Sequence, residues 1–99
     1  MITLQVTSND GSNLHSALRN SIQEGKIKAF QIVQVKGGLK LQHAKYLGSV
    51  KLSKTANILV AAIKCKNKNK EWQILKAFIG LLTYHFKDRM ASIQIHFDQ

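Results

Sequence analysis

The part of this sequence best suited to chemistry is a run of alternating lysines that leads into an apolar segment. The lysines of this run, Lys64, Lys66, Lys68 and Lys70, occupy every second position, and the apolar residues that follow have helical spacing. Ammonium groups beside the free backbone N–H groups of a helix start can hold a phosphate. The run therefore predicts an anion-binding site, and a solvated loop in a lysine- and asparagine-rich chain is the alternative interpretation.

The whole chain shares this positive charge. Its 99 residues include 15 Lys and Arg against five Asp and Glu, and the formal net charge is +10. Such a field attracts nucleic acid, anionic lipid or an acidic protein surface. All but two of the cations are lysines, which suit point-charge contacts to phosphate better than they suit reading of base edges. We therefore expect sequence-independent, salt-sensitive binding of nucleic acid. Further lysines that could extend the surface are Lys36, Lys40, Lys45 and Lys51.

Catalytic residue types give a weaker signal. Two histidines and a lysine can cleave RNA by general acid–base chemistry, and the available histidines are His15, His43, His85 and His96. Their spacing follows no motif, and we expect His85 to be partly buried on the apolar arc of a helix. The acids are scattered without metal-ligand spacing, and the single Cys65 excludes an internal disulfide framework and a Cys-rich zinc site. We expect no metal and no cofactor, and an enzyme is not the leading hypothesis.

Hydrophobic periodicity predicts the elements that must position these residues. Alternation or a continuous apolar run predicts strands at 2–7, 30–35, 39–42, 49–53, 58–63 and 92–98. Helical spacing predicts helices at about 12–24 and 70–87. Asp10 or Ser12 could cap the first helix, Gly25 could end it, and Asn67 or Asn69 could cap the second. Turns are predicted at Gly37-Gly38 and at 54–57, whereas 42–48 could be one bent strand or two strands with a turn near Tyr46.

This order predicts a single α+β domain spanning residues 1–99. Clean alternation in the first and last strands indicates one antiparallel or mixed sheet with two helices on one face and a polar face left open. The layout is that of a ferredoxin-like (split βαβ) fold with an enlarged central hairpin. The residues predicted to face outward, none of them aromatic, are Thr3, Gln5, Thr7, Lys40, Gln42, Lys51, Gln94 and His96. Without aromatic stacking, contact with a duplex backbone is favoured over recognition of single strands.

The α-β-β-β-α order predicted for residues 12–87 resembles that of double-stranded-RNA-binding domains. In that family a histidine-containing loop and lysines at the start of the last helix contact phosphates. His43-Ala44-Lys45-Tyr46 and the lysine run lie at similar positions in the order. The family's Gly-Pro before the histidine is absent, however, and Lys70-Glu71-Trp72 stands in place of its lysine-alanine-lysine. We therefore assign no family.

The leading hypothesis is a non-enzymatic, cytoplasmic domain that binds duplex or structured RNA or DNA through lysine–phosphate contacts. The expected compartment follows from the lack of a membrane-spanning apolar run and of a signal peptide in the sequence. One alternative is a homo-oligomeric protein-interaction module with an acidic partner, in which the helix around Leu81 forms a homodimer contact. A second alternative is a small metal-independent ribonuclease.

Overall fold

A computed structural model describes residues 1–11, 13–35, 38–56, 58–67 and 70–97. The strands are β1 (Ile2–Ser8), β2 (Phe30–Val35), β3 (Gly38–His43), β4 (Ser49–Thr55), β5 (Ile58–Lys64) and β6 (Met90–Phe97). The helices are α1 (Leu14–Gln23) and α2 (Glu71–Phe86), and a 3-10 turn (Lys87–Arg89) joins α2 to β6. No helix in these ranges is both long enough and apolar enough to cross a membrane.

The described strands form one six-stranded sheet in the order β2-β3-β4-β5-β1-β6. Each strand is antiparallel to its neighbours. Because β1 lies between β5 and β6, the strands β5 and β6 run parallel to each other. The predicted α+β class with a single antiparallel sheet is confirmed. The ferredoxin-like arrangement is not confirmed, because the sheet has more strands than that fold. Four strands stand between the two helices, whereas the resemblance to double-stranded-RNA-binding domains required three.

Both helices pack on one face of the sheet. Alternate residues of the strands point to that face and are buried, as Leu4 in β1 and Leu41 in β3 illustrate. Leu18 of α1 and Phe78 of α2 belong to the same buried cluster. The opposite face carries the remaining alternate residues, which are half-buried or exposed, because no described helix covers it.

Helix α2 lies deep in this core, which accounts for its wide apolar arc. Its buried residues include Ile74, Leu75, Phe78, Leu81 and Leu82. Leu81, around which the sequence suggests a subunit contact, is only 8% exposed. The apolar arc of α2 is therefore largely buried against the rest of the same chain.

The starts of both helices differ from the predicted ones, whereas the predicted end of α1 is confirmed. Asn13, rather than Asp10, caps α1, since its side chain accepts a 3.0 Å hydrogen bond from the backbone N–H of Ser16. At the other end Gly25 has φ +79° and donates its N–H to the Ile22 carbonyl, which confirms the predicted glycine stop. Lys70 occupies the N-cap position of α2 and makes no side-chain capping bond. The other proposed caps, Ser12 and Asn69, and residue Gly37 of the predicted turn lie outside the described residues.

Trp72 and His85 of α2 are exposed. Trp72 is 58% exposed and stacks on Phe97 of β6, because the buried stripe runs through positions 71, 74, 75, 78 and 82 and leaves 72 at its margin. The prediction of a partly buried His85 is wrong. Its ring is exposed in the last turn of α2 and lies edge-on to Tyr84.

Candidate lysine-lined groove

A groove of about 690 Å³ opens where the β3–β4 turn meets the connection from β5 to α2. We call it the lysine groove, because its cationic lining residues are Lys40, Lys64, Lys66 and Lys70. Its other lining residues are Gln42, Leu47, Gly48, Ser49, Cys65 and Asn67. Of the described residues that line it, none is acidic.

The register of the sheet brings the first part of this lining together. On β4, Ser49 lies opposite Gln42 of β3 and opposite Lys64 of β5. Residues opposite each other point to the same face, so Lys64, Ser49 and Gln42 form a row on the open face, and Lys40 lies two residues from Gln42. The chain after β5 then adds Lys66 and Lys70. The groove thus joins residues from three strands, the β3–β4 turn and one connection.

The β3–β4 turn is held against the β5–α2 connection at Gly48. This residue has φ +140°, and a Cβ there would overlap Cδ1 of Ile74 and lie 3.0 Å from the carbonyl oxygen of Lys64. The thiol of Cys65 also donates a 2.9 Å hydrogen bond to the Leu47 carbonyl. Glycine therefore allows the turn to approach closely, and the thiol adds a hydrogen bond between the turn and the connection.

A histidine shapes the same turn. The Nδ1 atom of His43 accepts hydrogen bonds from the backbone N–H groups of Lys45 at 2.9 Å and Tyr46 at 3.1 Å. Its ring stacks on Tyr46 with centroids 4.6 Å apart and lies edge-on to Phe30. Burial lowers the pKa of His43, and the nearby Lys45 lowers it further. The neutral ring, with Nδ1 free of a proton, is therefore the form that holds the turn.

No carboxylate neutralises the groove lysines within the described part of the chain. Glu71 follows Lys70 directly, but its carboxylate is buried and lies 3.4 Å from the Met1 amine. The other ion pair between described residues joins Lys26 to Glu24 at 3.1 Å. The positive charges around the groove are thus left to solvent or to a bound anion.

The predicted binding lysines fall into three groups. Lys40, Lys64, Lys66 and Lys70 line the groove, whereas Lys36 and Lys68 lie outside the described residues. Lys51 lies directly opposite Lys40 on the neighbouring strand, but it does not line the groove. Its side chain extends towards Gly38, and a Cβ on that glycine would lie 3.8 Å from Cε of Lys51. Lys45 is exposed in the β3–β4 turn and is not part of the lining.

Some lining residues were not singled out as binding residues from the sequence. Gln42 lies two residues after Lys40 and was predicted to face outward. Strand periodicity puts both residues on the same face, so the place of Gln42 beside the lysines follows from it. Ser49 and Asn67, whose hydroxyl and amide groups could bond to phosphate oxygens, gave no such signal. Ser49 joins the lysines only through the pairing of β4 with β5, whereas Asn67 lies within the lysine run itself.

The four histidines lie on separate elements. His15 is on α1, where burial together with Arg19 and Lys54 lowers its pKa. His43 ends β3, His85 is in the last turn of α2, and His96 lies on the open face of β6. Among the described residues, no three His, Cys, Asp or Glu side chains are placed to hold a metal ion. Comparison with known protein-family models, curated proteins and solved structures finds no match to this chain.

Proposed function

We propose that this protein binds the phosphate backbone of nucleic acid through the lysine groove, without catalysis and without reading base sequence. One observation carries the proposal. Four lysines from two strands and one connection line a single groove, and no described carboxylate is paired with any of them. Neutralisation of phosphates by lysine supplies most of the affinity in sequence-independent binding.

The placement of lysines on the open face also favours an anionic ligand. Lys40 and Lys51 lie directly opposite each other on neighbouring strands. Like charges at such positions destabilise a sheet, by roughly 0.2–1 kcal/mol for cross-strand pairs in general. A phosphate near this pair would offset the repulsion. The side chain of Lys70 makes no capping bond at the start of α2, and the positive end of the helix dipole lies at the same end of the groove.

The side chains of the open face favour a duplex or folded nucleic acid over a single strand. Proteins that bind single strands stack bases on exposed aromatic rings. Within the described residues the groove lining has no aromatic ring, and Thr3, Gln5 and Gln94 are typical of the β1 and β6 side chains on this face. Lysine, amide and hydroxyl groups alone suit contacts to phosphate and sugar, which a duplex presents on its outside.

The test is a binding titration with fluorescently labelled 20-base-pair duplex RNA, duplex DNA and single strands at about 50 mM salt, a range in which phosphate contacts dominate affinity. The site variant replaces Lys64, Lys66 and Lys70 with Gln. The matched control replaces Lys28, Lys76 and Lys87 with Gln, and these exposed lysines do not line the groove. Both variants lower the net charge of +10 by three.

We expect the wild type to bind both duplexes and the site variant to bind them at least tenfold more weakly than the control variant does. Equal losses in the two variants would mean that net charge, and not the groove, is responsible. Failure of the wild type to bind any of the three probes would refute the proposal and leave an acidic protein surface as the alternative partner of the lysines.

A further inference from the structure

Strand β6 forms an edge of the sheet that carries no Lys, Arg, Asp or Glu. Among the described strands it pairs with β1 alone, and its sequence is MASIQIHF. Natural edge strands are commonly protected from pairing with other chains by lysines, prolines or bulges. Here the pairing with β1 is regular from Ser92 to Phe97, and the one register shift lies at the Ser8 end. Most of the edge is therefore a regular, neutral strand in a chain that has 13 lysines.

Exposed apolar side chains follow the same edge. Phe97 is 50% exposed and Trp72 is 58% exposed, and their rings stack with centroids 5.1 Å apart. Ile93 and Ile95, on the same face of β6 as Phe97, are only half-buried. Since an aromatic side chain buries about 150–250 Å², the two rings leave roughly 200 Å² in water. A partner that extends the sheet would cover this surface.

We propose that β6 pairs antiparallel with β6 of a second copy of this chain. An antiparallel strand is self-complementary, so a two-fold axis satisfies the free backbone groups of both copies at once. In each copy the stacked rings of Trp72 and Phe97 would be partly buried by the other copy.

The distribution of charge selects this partner, and the stacked rings select this edge over β2, which also lacks Lys, Arg, Asp and Glu. A segment of an acidic protein would be drawn to the lysines, whereas β6 and its neighbour β1 contain no Lys, Arg, Asp or Glu. In the paired sheet, β5 of one copy and β5 of the other are five strand spacings apart, or about 24 Å. That distance exceeds two Debye lengths of about 8–10 Å, so salt screens the repulsion between the two lysine grooves.

The pairing has a consequence that rests on the proposed function. Antiparallel pairing about a two-fold axis keeps the open faces of both sheets on the same side. The two grooves would then face one nucleic acid together, and the second contact would be intramolecular. The dimer itself does not depend on that function.

The experiment measures the mass of the full chain by sedimentation from 5 to 200 μM, with the fluorescence of Trp72, the single tryptophan, as a second readout. Gln94→Lys places a cation on exposed β6. Gln31→Lys makes the same change on β2, the opposite edge, where Gln31 is also exposed. Circular dichroism checks that both variants fold.

We expect the wild type and Gln31→Lys to reach twice 11.1 kDa, with a blue shift of tryptophan emission as concentration rises. Gln94→Lys should weaken association at least tenfold. A monomer at 200 μM, or equal association of the two variants, would overturn the proposal, as would open-ended growth beyond two copies. Nucleic-acid binding by a chain that stays monomeric would overturn the dimer and leave the proposed function standing.

Discussion

Replacement of Gly48 by Ala tests whether the β3–β4 turn is held against the β5–α2 connection as described. A Cβ at this position would overlap Cδ1 of Ile74, which is fully buried, and would lie 3.0 Å from the Lys64 carbonyl oxygen. The backbone adds strain, because φ is +140°. A sparsely populated φ costs roughly 1–3 kcal/mol and overpacking a further 1–3 kcal/mol. We expect a loss of about 2–6 kcal/mol from a total that is typically about 5–15 kcal/mol for a domain.

The assay is thermal and urea denaturation followed by circular dichroism. A loss of this size lowers Tm by about 10 °C or more in a chain of this length. Gly25→Ala is the matched control, because Gly25 also has a positive φ, +79°, but nothing lies within 4 Å of its Cβ position. The control should lose only the backbone term, about 1–2 kcal/mol. If Gly48→Ala loses no more stability than Gly25→Ala, the close approach of turn and connection is wrong.

Three further predictions concern single residues outside the groove lining. Asn13→Ala should cost about 1 kcal/mol, because the N–H of Ser16 loses its acceptor, and an unchanged urea midpoint would contradict this. Gly80→Ala should stabilise α2 by up to about 1 kcal/mol, because Gly80 is exposed and an added Cβ would meet nothing within 4 Å. A lower urea midpoint for this variant would contradict the prediction. Because the pKa of His43 is lowered in the folded chain, the unfolded chain binds its proton first. The contribution of this ring to stability is therefore full above pH about 6.5 and is lost as the pH drops through the folded-state pKa. His43→Asn keeps an acceptor for the two N–H groups but removes the titrating ring. The loss of stability at low pH should then shrink to the part that His15 contributes, and an unaltered pH profile would refute the role given to the His43 ring.

Burial of one sheet face made the strands predictable. In β1, β2, β3 and β5 the predicted bounds match the observed ones to within one residue at each end, whereas β4 and β6 each extend at least two residues further at one end than predicted. The order of strands was beyond the sequence pattern, because periodicity reports which face a residue takes and not which strand lies beside it. The insertion of β1 between β5 and β6 depends on pairing between residues more than 50 positions apart, such as Ile2 with Ile63.

The lysine groove was predictable only in part. The lysine run before α2 is visible as a motif, but Lys40 reaches it through the register of three strands. The position of Lys51 depends on the direction in which its side chain lies, and backbone periodicity does not determine that direction. The turn that forms one wall depends on a histidine ring accepting two N–H bonds, a role that turn propensities assign to Asn, Asp or Ser.

The salt dependence of binding tests the central claim most directly. For duplex DNA, each lysine–phosphate contact contributes about 0.9 to the slope of log K against log salt concentration. Replacing Lys64, Lys66 and Lys70 with Gln should therefore reduce the slope by about 2–3, whereas the control at Lys28, Lys76 and Lys87 should keep the slope of the wild type. Equal slopes for the wild type and the groove variant would show that these lysines do not contact phosphate, and would contradict the account.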